Sequence, residues 1–436
     1  MPKPCGSPKR SITGSAPVRW RSLDRPILKL LITLENALRV LRQLPETPDR
    51  AGREIGLQIL LGVARMAVQG YAAPDVQRAY GRAHELCRQF GDAPQLFPVL
   101  RGLYVYHLLR GELPEAHALG HQLVEIAKQT GDDGQSLEAN FALGQTFLFH
   151  KGDLAAASHY LAAGAALYDL ERHRMHAFLF GQDPGVFCLS LLAWTRLIEG
   201  RLSEAQLTLE ATLALAERVR HPLSAAAALL FAAGAHLWLR HMTRAEHYAD
   251  RLIAISTEQA LPFFAGMGNL VKGAAEMARG AEGMKRIEEA MKMYGMTGTR
   301  FTQTLAWDYA ARASLQLGRP EVAGEYLREV MPHALSDQGE AYIAPELLRT
   351  EALVHGALGD TNGAEASLRQ ALVRAEGMGA AFWRLRAACD LACLWRDQGK
   401  RAEARDLLAP IYGGFTEGFG TPDLKEAKIL LDALAP

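Results

Sequence analysis

Leu109-Arg-Gly-Glu-Leu-Pro-Glu-Ala116 returns as His150-Lys-Gly-Asp-Leu-Ala-Ala-Ala157 and again as Glu199-Gly-Arg-Leu-Ser-Glu-Ala205. The same step from glycine to alanine recurs at Leu317-Gly-Arg-Pro-Glu-Val-Ala323, Leu358-Gly-Asp-Thr-Asn-Gly-Ala364 and Gln398-Gly-Lys-Arg-Ala-Glu-Ala404. Looser copies lie at Arg240 to Ala245 and around Gly280. The markers stand at 111, 152, 200, 240, 280, 318, 359 and 399, so the steps are 41, 48, 40, 40, 38, 41 and 40. A period near forty marks an array of supersecondary units, each burying its apolar face on its neighbours. The glycine supplies positive φ where a first helix must stop. The alanine five residues on lets two helix axes approach.

A second signal has the same period. Cys87-Arg-Gln-Phe-Gly-Asp92 is echoed forty residues later at Ala127-Lys-Gln-Thr-Gly-Asp132, and Ala216-Glu-Arg-Val-Arg-His-Pro222 at Ser256-Thr-Glu-Gln-Ala-Leu-Pro262. These stretches read as the ends of second helices. From Ile27 onward the chain reads as helix; Leu28, Leu31, Leu34, Leu38 and Leu41 form one apolar stripe, and strand patterns are nearly absent. Thr421-Pro-Asp opens a last helix carrying Leu424, Ala427, Leu431 and Leu434 on one face, expected to cap the array over 421–435. The predicted fold is therefore all-α, a superhelical solenoid of nine to ten helix pairs over residues 24–436, and the family resemblance given below implies that it is right-handed.

Composition narrows the function classes. Lysine plus arginine and aspartate plus glutamate number 48 each among 436 residues, so no global charge draws the chain to nucleic acid or an anionic membrane. No apolar run approaches the roughly 18 residues of a membrane span. Residues 1–23 are basic, proline-rich and without an apolar centre, which predicts a disordered tail rather than a secretion signal. Five scattered cysteines suit free thiols in a reducing, cytoplasmic setting. Cys389 and Cys393 share a helix face without further metal ligands and read as small core residues. No cofactor or metal motif is present in the sequence.

With the glycine-to-alanine turn and paired helices, the chain resembles the tetratricopeptide superfamily, although its step exceeds the usual period of about 34. A closer resemblance rests on Gly70-Tyr-Ala-Ala-Pro-Asp75 with Pro94-Gln-Leu-Phe-Pro98, and on Arg172-His-Arg-Met-His-Ala-Phe-Leu-Phe-Gly-Gln-Asp-Pro-Gly185. It rests also on Lys400-Arg-Ala-Glu-Ala-Arg-Asp-Leu-Leu-Ala-Pro410, Phe415-Thr-Glu-Gly-Phe419 and Asp423-Leu-Lys-Glu-Ala-Lys428. Over residues 28–435 these stretches are similar to the C-terminal helical-repeat region of bacterial proteins that join a class III adenylate/guanylate cyclase, an ATPase and tetratricopeptide repeats. The resemblance implies a non-catalytic module in signal transduction whose partner is a protein or peptide, a cyclase or ATPase module among the candidates. No phosphate-binding G-x4-G-K-[ST] loop occurs, and Gly399-Lys400 sits in a repeat turn. A free-standing repeat protein and the separated tail of a longer one both remain open.

The step of 48 hides an insertion at 172–185, which holds His173, His176, Gln182 and Asp183. An irregularity in a regular array is a candidate contact, either for a partner or for a small-molecule effector sensed by the superhelix. His173 and His176 have metal-ligand spacing but no supporting motif. First helices of such units line a concave surface. Tyr104, His107, Asn140 and Gln145 are therefore candidate contacts, with Asn269, Lys272, Trp307, Asp308, Arg349, Arg384 and Trp395 on later repeats. Trp194, Trp238 and Trp383 read as core.

Overall fold

The computed structural model describes residues 26–70, 72–91 and 93–435. The basic stretch 1–23 lies outside them. All regular structure among the described residues is helical. A lone first helix, α1 (Pro26–Leu41), precedes α2 (Pro48–Gln69) and α3 (Pro74–Phe90), then α4 (Ala93–Arg110) and α5 (Leu113–Thr130). Helix α6 (Asp133–Thr146) runs on through a π-helical turn, Phe147–Lys151, into its partner α7 (Leu154–Leu167). Two short turns, α8 (Leu170–His173) and α9 (His176–Leu179), interrupt the array. It resumes with α10 (Pro184–Ile198) and α11 (Leu202–Val219), α12 (Pro222–Trp238) and α13 (Met242–Glu258), α14 (Pro262–Glu276) and α15 (Ala281–Met296). Next come α16 (Gln303–Gln316) and α17 (Pro320–Ala334), α18 (Ala344–Ala357) and α19 (Thr361–Met378), α20 (Ala381–Asp397) and α21 (Arg401–Gly413). The last helix, α22 (Pro422–Ala433), covers α20 and α21. Among the described residues, nine helix pairs thus stand between two single helices. This is the expected all-α, tetratricopeptide-like solenoid.

The repeat marker does what its chemistry requires. All seven marker glycines adopt positive φ, from 63° at Gly152 to 112° at Gly280. At the eighth marker Arg240 takes the same conformation, φ 60°. The alanines at 116, 157, 205, 245, 323 and 404 are fully buried between paired helices. At the ends of second helices, Gly91 and Gly131 are also left-handed, and Arg220 and Ala260 follow suit where no glycine is available. Thr421 precedes the cap helix in extended conformation, but its hydroxyl donates back to the Gly418 carbonyl at 2.7 Å and does not cap the helix.

First and second helices differ sharply in burial. Thirteen of the fifteen residues of α10 are buried, against seven of eighteen on α11. The reason is that the superhelix returns onto itself. Arg300 donates its backbone N–H to the Leu109 carbonyl at 2.8 Å. His150 meets the Gly339 carbonyl at 3.2 Å across 189 residues, and Arg240 pairs with Glu426 at 2.6 Å across 186. Under five repeats of about forty residues therefore make one turn, and successive turns stack edge to edge.

Aromatic rings fill the seam between turns. Phe149 lies 4.7 Å from Phe301 and 4.8 Å from Tyr342, edge to face. Trp194 touches Trp238 at 4.2 Å, and Trp238 touches Trp383 at 5.2 Å. The indole N–H groups are satisfied inside: Trp194 donates to Phe231 O, Trp238 to the Tyr309 hydroxyl and Trp383 to Tyr342 O. The three tryptophans are core, as the sequence predicts. The open concave surface expected along the first helices is, in this region, packed interior.

Candidate functional site

The insertion is built on a charge pair. Arg101 on α4 and Glu138 on α6 face each other at 3.0 Å with 1% of each side chain exposed. Isolated charges so placed would cost several kcal/mol, so each demands further partners. The insertion supplies them. His176 Nδ1 lies 2.9 Å from the second Glu138 oxygen, and Gln182 accepts from Arg101 at 3.2 Å. The guanidinium also lies over the rings of Tyr104, Phe141 and Phe180. Its Nη1 alone has no acceptor.

Asp183 completes the anchor. It is fully buried, caps α10 by accepting from Val186 N at 2.9 Å, and accepts from the Tyr168 hydroxyl at 2.8 Å. Its own N–H donates to Ser224 Oγ at 3.0 Å. Burial pushes its carboxyl above the ordinary aspartate range, against the pull of these donors. Gly185 is needed beside it, because a Cβ there would sit 2.5 Å from the Tyr168 ring. His173 is buried too, with Nδ1 accepting from Asp169 N at 3.0 Å, and burial lowers its pKa. His173 and His176 stand edge to face at 5.3 Å. No group of three His, Cys, Asp or Glu suited to a metal ion occurs among the described residues.

The first-helix candidates are placed as follows. Tyr104 is buried, its hydroxyl 2.8 Å from Ala142 O and 2.9 Å from Gln145 Oε1. Gln145 is likewise buried. Asn140 is half-buried and makes no side-chain hydrogen bond to any described residue. His107 is part-exposed, with Nδ1 2.7 Å from Glu112. The structure therefore brings His176 and Gln182 together on Arg101 and Glu138, joins Tyr104 to Gln145, and leaves His107 and Asn140 apart from both groups.

Outward the segment is mixed: Glu171, Arg172 and Arg174 are exposed, and beside them lies an apolar group. Met175, Phe178 and Leu179 are 60%, 62% and 50% exposed, and the Phe178 ring stands 5.6 Å from His221. Exposed large side chains on a segment fixed from beneath by buried charges form a preorganised contact.

A second buried network, on α16, α18 and α20, includes Asp308 and Arg349, which the sequence offers as concave-face contacts, together with partners the sequence reading missed. Glu346 Oε2 receives Arg312 at 3.1 Å, Arg349 at 3.2 Å and Arg386 at 2.9 Å. Asp308, Asp390 and Asp423 pair with the same arginines from outside. Burial alone would raise the Glu346 carboxyl; the three guanidiniums, Arg386 foremost, outweigh it and hold it below its ordinary value. One signal was available. Arg312, Arg349 and Arg386 recur at steps of 37, and Glu138 follows Arg101 by 37.

No family model matches the chain. A relative from Rhizobium meliloti (strain 1021), an uncharacterized protein, is 23% identical over 353 residues, covering 80% of this chain and 34% of that protein. The chain thus spans about a third of the length of the relative it matches. Among solved structures, it is similar to a signal transduction ATPase with numerous domains and a tetratricopeptide repeat sensor from Pyrococcus horikoshii. That likeness has TM-score 0.45 and 15% identity, over 87% of this chain and 54% of the other. A Rap protein complexed with competence and sporulation factor matches with TM-score 0.45 and 12% identity, over 94% and 99%. The human IFIT1 dimer with m7Gppp-AAAA matches with TM-score 0.43 and 15% identity, over 95% and 96%.

Proposed function

We propose that this chain is a helical-repeat scaffold that binds a protein partner through the insertion 172–185, as a non-catalytic module of a bacterial signalling assembly containing cyclase or ATPase modules. One observation carries the reading. The only long interruption of the nine-pair array among the described residues is held by buried charges and presents Met175, Phe178 and Leu179 to solvent. Complete burial of such a side chain is worth about 1.5–3 kcal/mol, and these three are already near half buried, so a partner covering them gains roughly half of that from each. The longer relative, of which this chain matches about a third, supports a module that works beside other modules. The signalling context rests on the resemblance of residues 28–435.

The test is affinity capture from host extract on the wild-type chain and on a Met175→Ser/Phe178→Ser variant, with melting curves confirming that both fold. A stoichiometric protein held by the wild type and lost by the variant is expected. The same proteins on both columns would end the insertion reading.

A further inference from the structure

A groove of about 860 Å³ runs between α1, α2 and α3. Its size matches pockets for nucleotide-sized ligands. Five arginines line it, Arg39 and Arg42 from α1, Arg65 from α2, Arg78 and Arg82 from α3, against the carboxylates of Glu35 and Glu85 alone. In a chain with no net charge this is a local concentration of one sign.

The internal partners do not use it up. Arg65 is fixed by the Asp75 carbonyl at 2.9 Å and Glu35 at 3.1 Å, yet its buried Nε has no acceptor. Arg82 is drawn to Glu54 at 3.1 Å, and Arg78 to Asp75. Arg39 donates to the neutral amide of Asn36 at 2.9 Å, and neither it nor Arg42 forms an ion pair with a described residue. Two guanidiniums thus stand without a described counter-charge at the rim, beside a third, Arg65, that is held in place by its own partners.

Gly81 leaves the groove wall open. It lies within α3, on the groove, and a Cβ built there meets nothing within 4 Å. Gly62 and Gly102 are glycine because the Tyr80 ring presses against both. No such neighbour accounts for Gly81, although glycine inside a helix costs about 1 kcal/mol relative to alanine. Gly295, Gly356, Gly377 and Gly413 in other helices are equally open, so what Gly81 contributes is room on the groove wall.

We propose that this groove binds a soluble, multiply charged phosphate compound of nucleotide size. Guanidinium forks match phosphate oxygens two at a time, and charge-assisted hydrogen bonds are the strong ones. The site uses none of the insertion residues, so it and the partner reading fail separately.

The experiment is isothermal titration of the full chain with sodium tripolyphosphate and with ATP at low salt. It compares the wild type, Arg39→Gln/Arg42→Gln and Gly81→Leu. The altered arginines are exposed and unpaired, so that variant is expected to melt with the wild type. Saturable binding by the wild type, weakened about tenfold or more in both variants and by added salt, is expected. Three outcomes would overturn the proposal: no saturable binding by the wild type, equal binding by the arginine variant, or binding confined to an acidic peptide or to vesicles carrying phosphoinositide.

Discussion

At single positions the chain departs from what backbone and charge prefer, and each departure can be read as free energy. Arg220 ends α11 at φ 55° on the surface, a conformation that costs an L-residue about 1–2 kcal/mol. Glycine escapes that strain but adds freedom to the unfolded chain, so Arg220→Gly is expected to stabilise by about 0.5–1 kcal/mol in a urea denaturation series. A destabilised variant would mean that the arginine side chain contributes more than its backbone costs. Glu340 is the counterpart in charge. It is buried and accepts from Thr302 N and the Thr304 hydroxyl, and burial pushes its carboxyl up to about 7. The sign follows from the protonated form suiting the site. This contribution is whole below the ordinary value of 4.5 and is lost as the pH rises through 7. The wild type should therefore lose on the order of 3 kcal/mol relative to Glu340→Gln between pH 4.5 and 8. Parallel denaturation curves across that range would refute the assignment.

At the scale of elements, the turns were legible and the supports beneath them were not. A glycine or its left-handed substitute is demanded by local backbone geometry, so markers 111 to 399 declare themselves in the sequence. The insertion also declares itself, through the step of 48, and the sequence offers His173, His176, Gln182 and Asp183 there as candidate contacts. In the structure His176 and Gln182 answer Arg101 and Glu138, and Asp183 anchors separately on Tyr168 and Ser224. Their inward direction was not legible. It depends on Arg101 and Glu138, which lie 75 and 38 residues before His176 and meet it only after α4 and α6 have paired. A polar side chain on an inserted loop gives no sign of whether it reaches out or answers a buried charge. Removing one member of that pair should show the dependence. Glu138→Ala is expected to destabilise by about 3–5 kcal/mol, because Arg101 would be left buried without its counter-charge. Removing both, as Arg101→Met/Glu138→Leu, should cost clearly less. Hydrogen exchange over 170–183 should quicken in either variant, since His176 loses its anchor in both and Gln182 loses its own in the double variant. Unchanged exchange there would show that Asp183 and Tyr168 suffice.

At the scale of the whole molecule, a repeat protein is ordinarily a one-dimensional object in which each unit feels only its neighbours. The period near forty gave that picture and nothing beyond it, because superhelical closure accumulates from small rotations at every pair. No local pattern announces that residue 150 will meet residue 339. Closure changes the energetics. Trp383 of α20 is fully buried against Trp238 of α12, and through it reaches Trp194 and the first turn. Emptying that position should cost about 3–5 kcal/mol as a large-to-small core substitution. In a one-dimensional array the damage would stay in α18 to α22. In this stacked superhelix, Trp383→Ala should also lower hydrogen-exchange protection in α10 and α12, about 145 to 200 residues earlier by sequence, and unfolding should remain a single cooperative transition. Protection loss confined to the last repeats, or two separated transitions, would show that the turns touch without being coupled. The first outcome would make the aromatic seam the means by which an event at either end of the array is felt at the other.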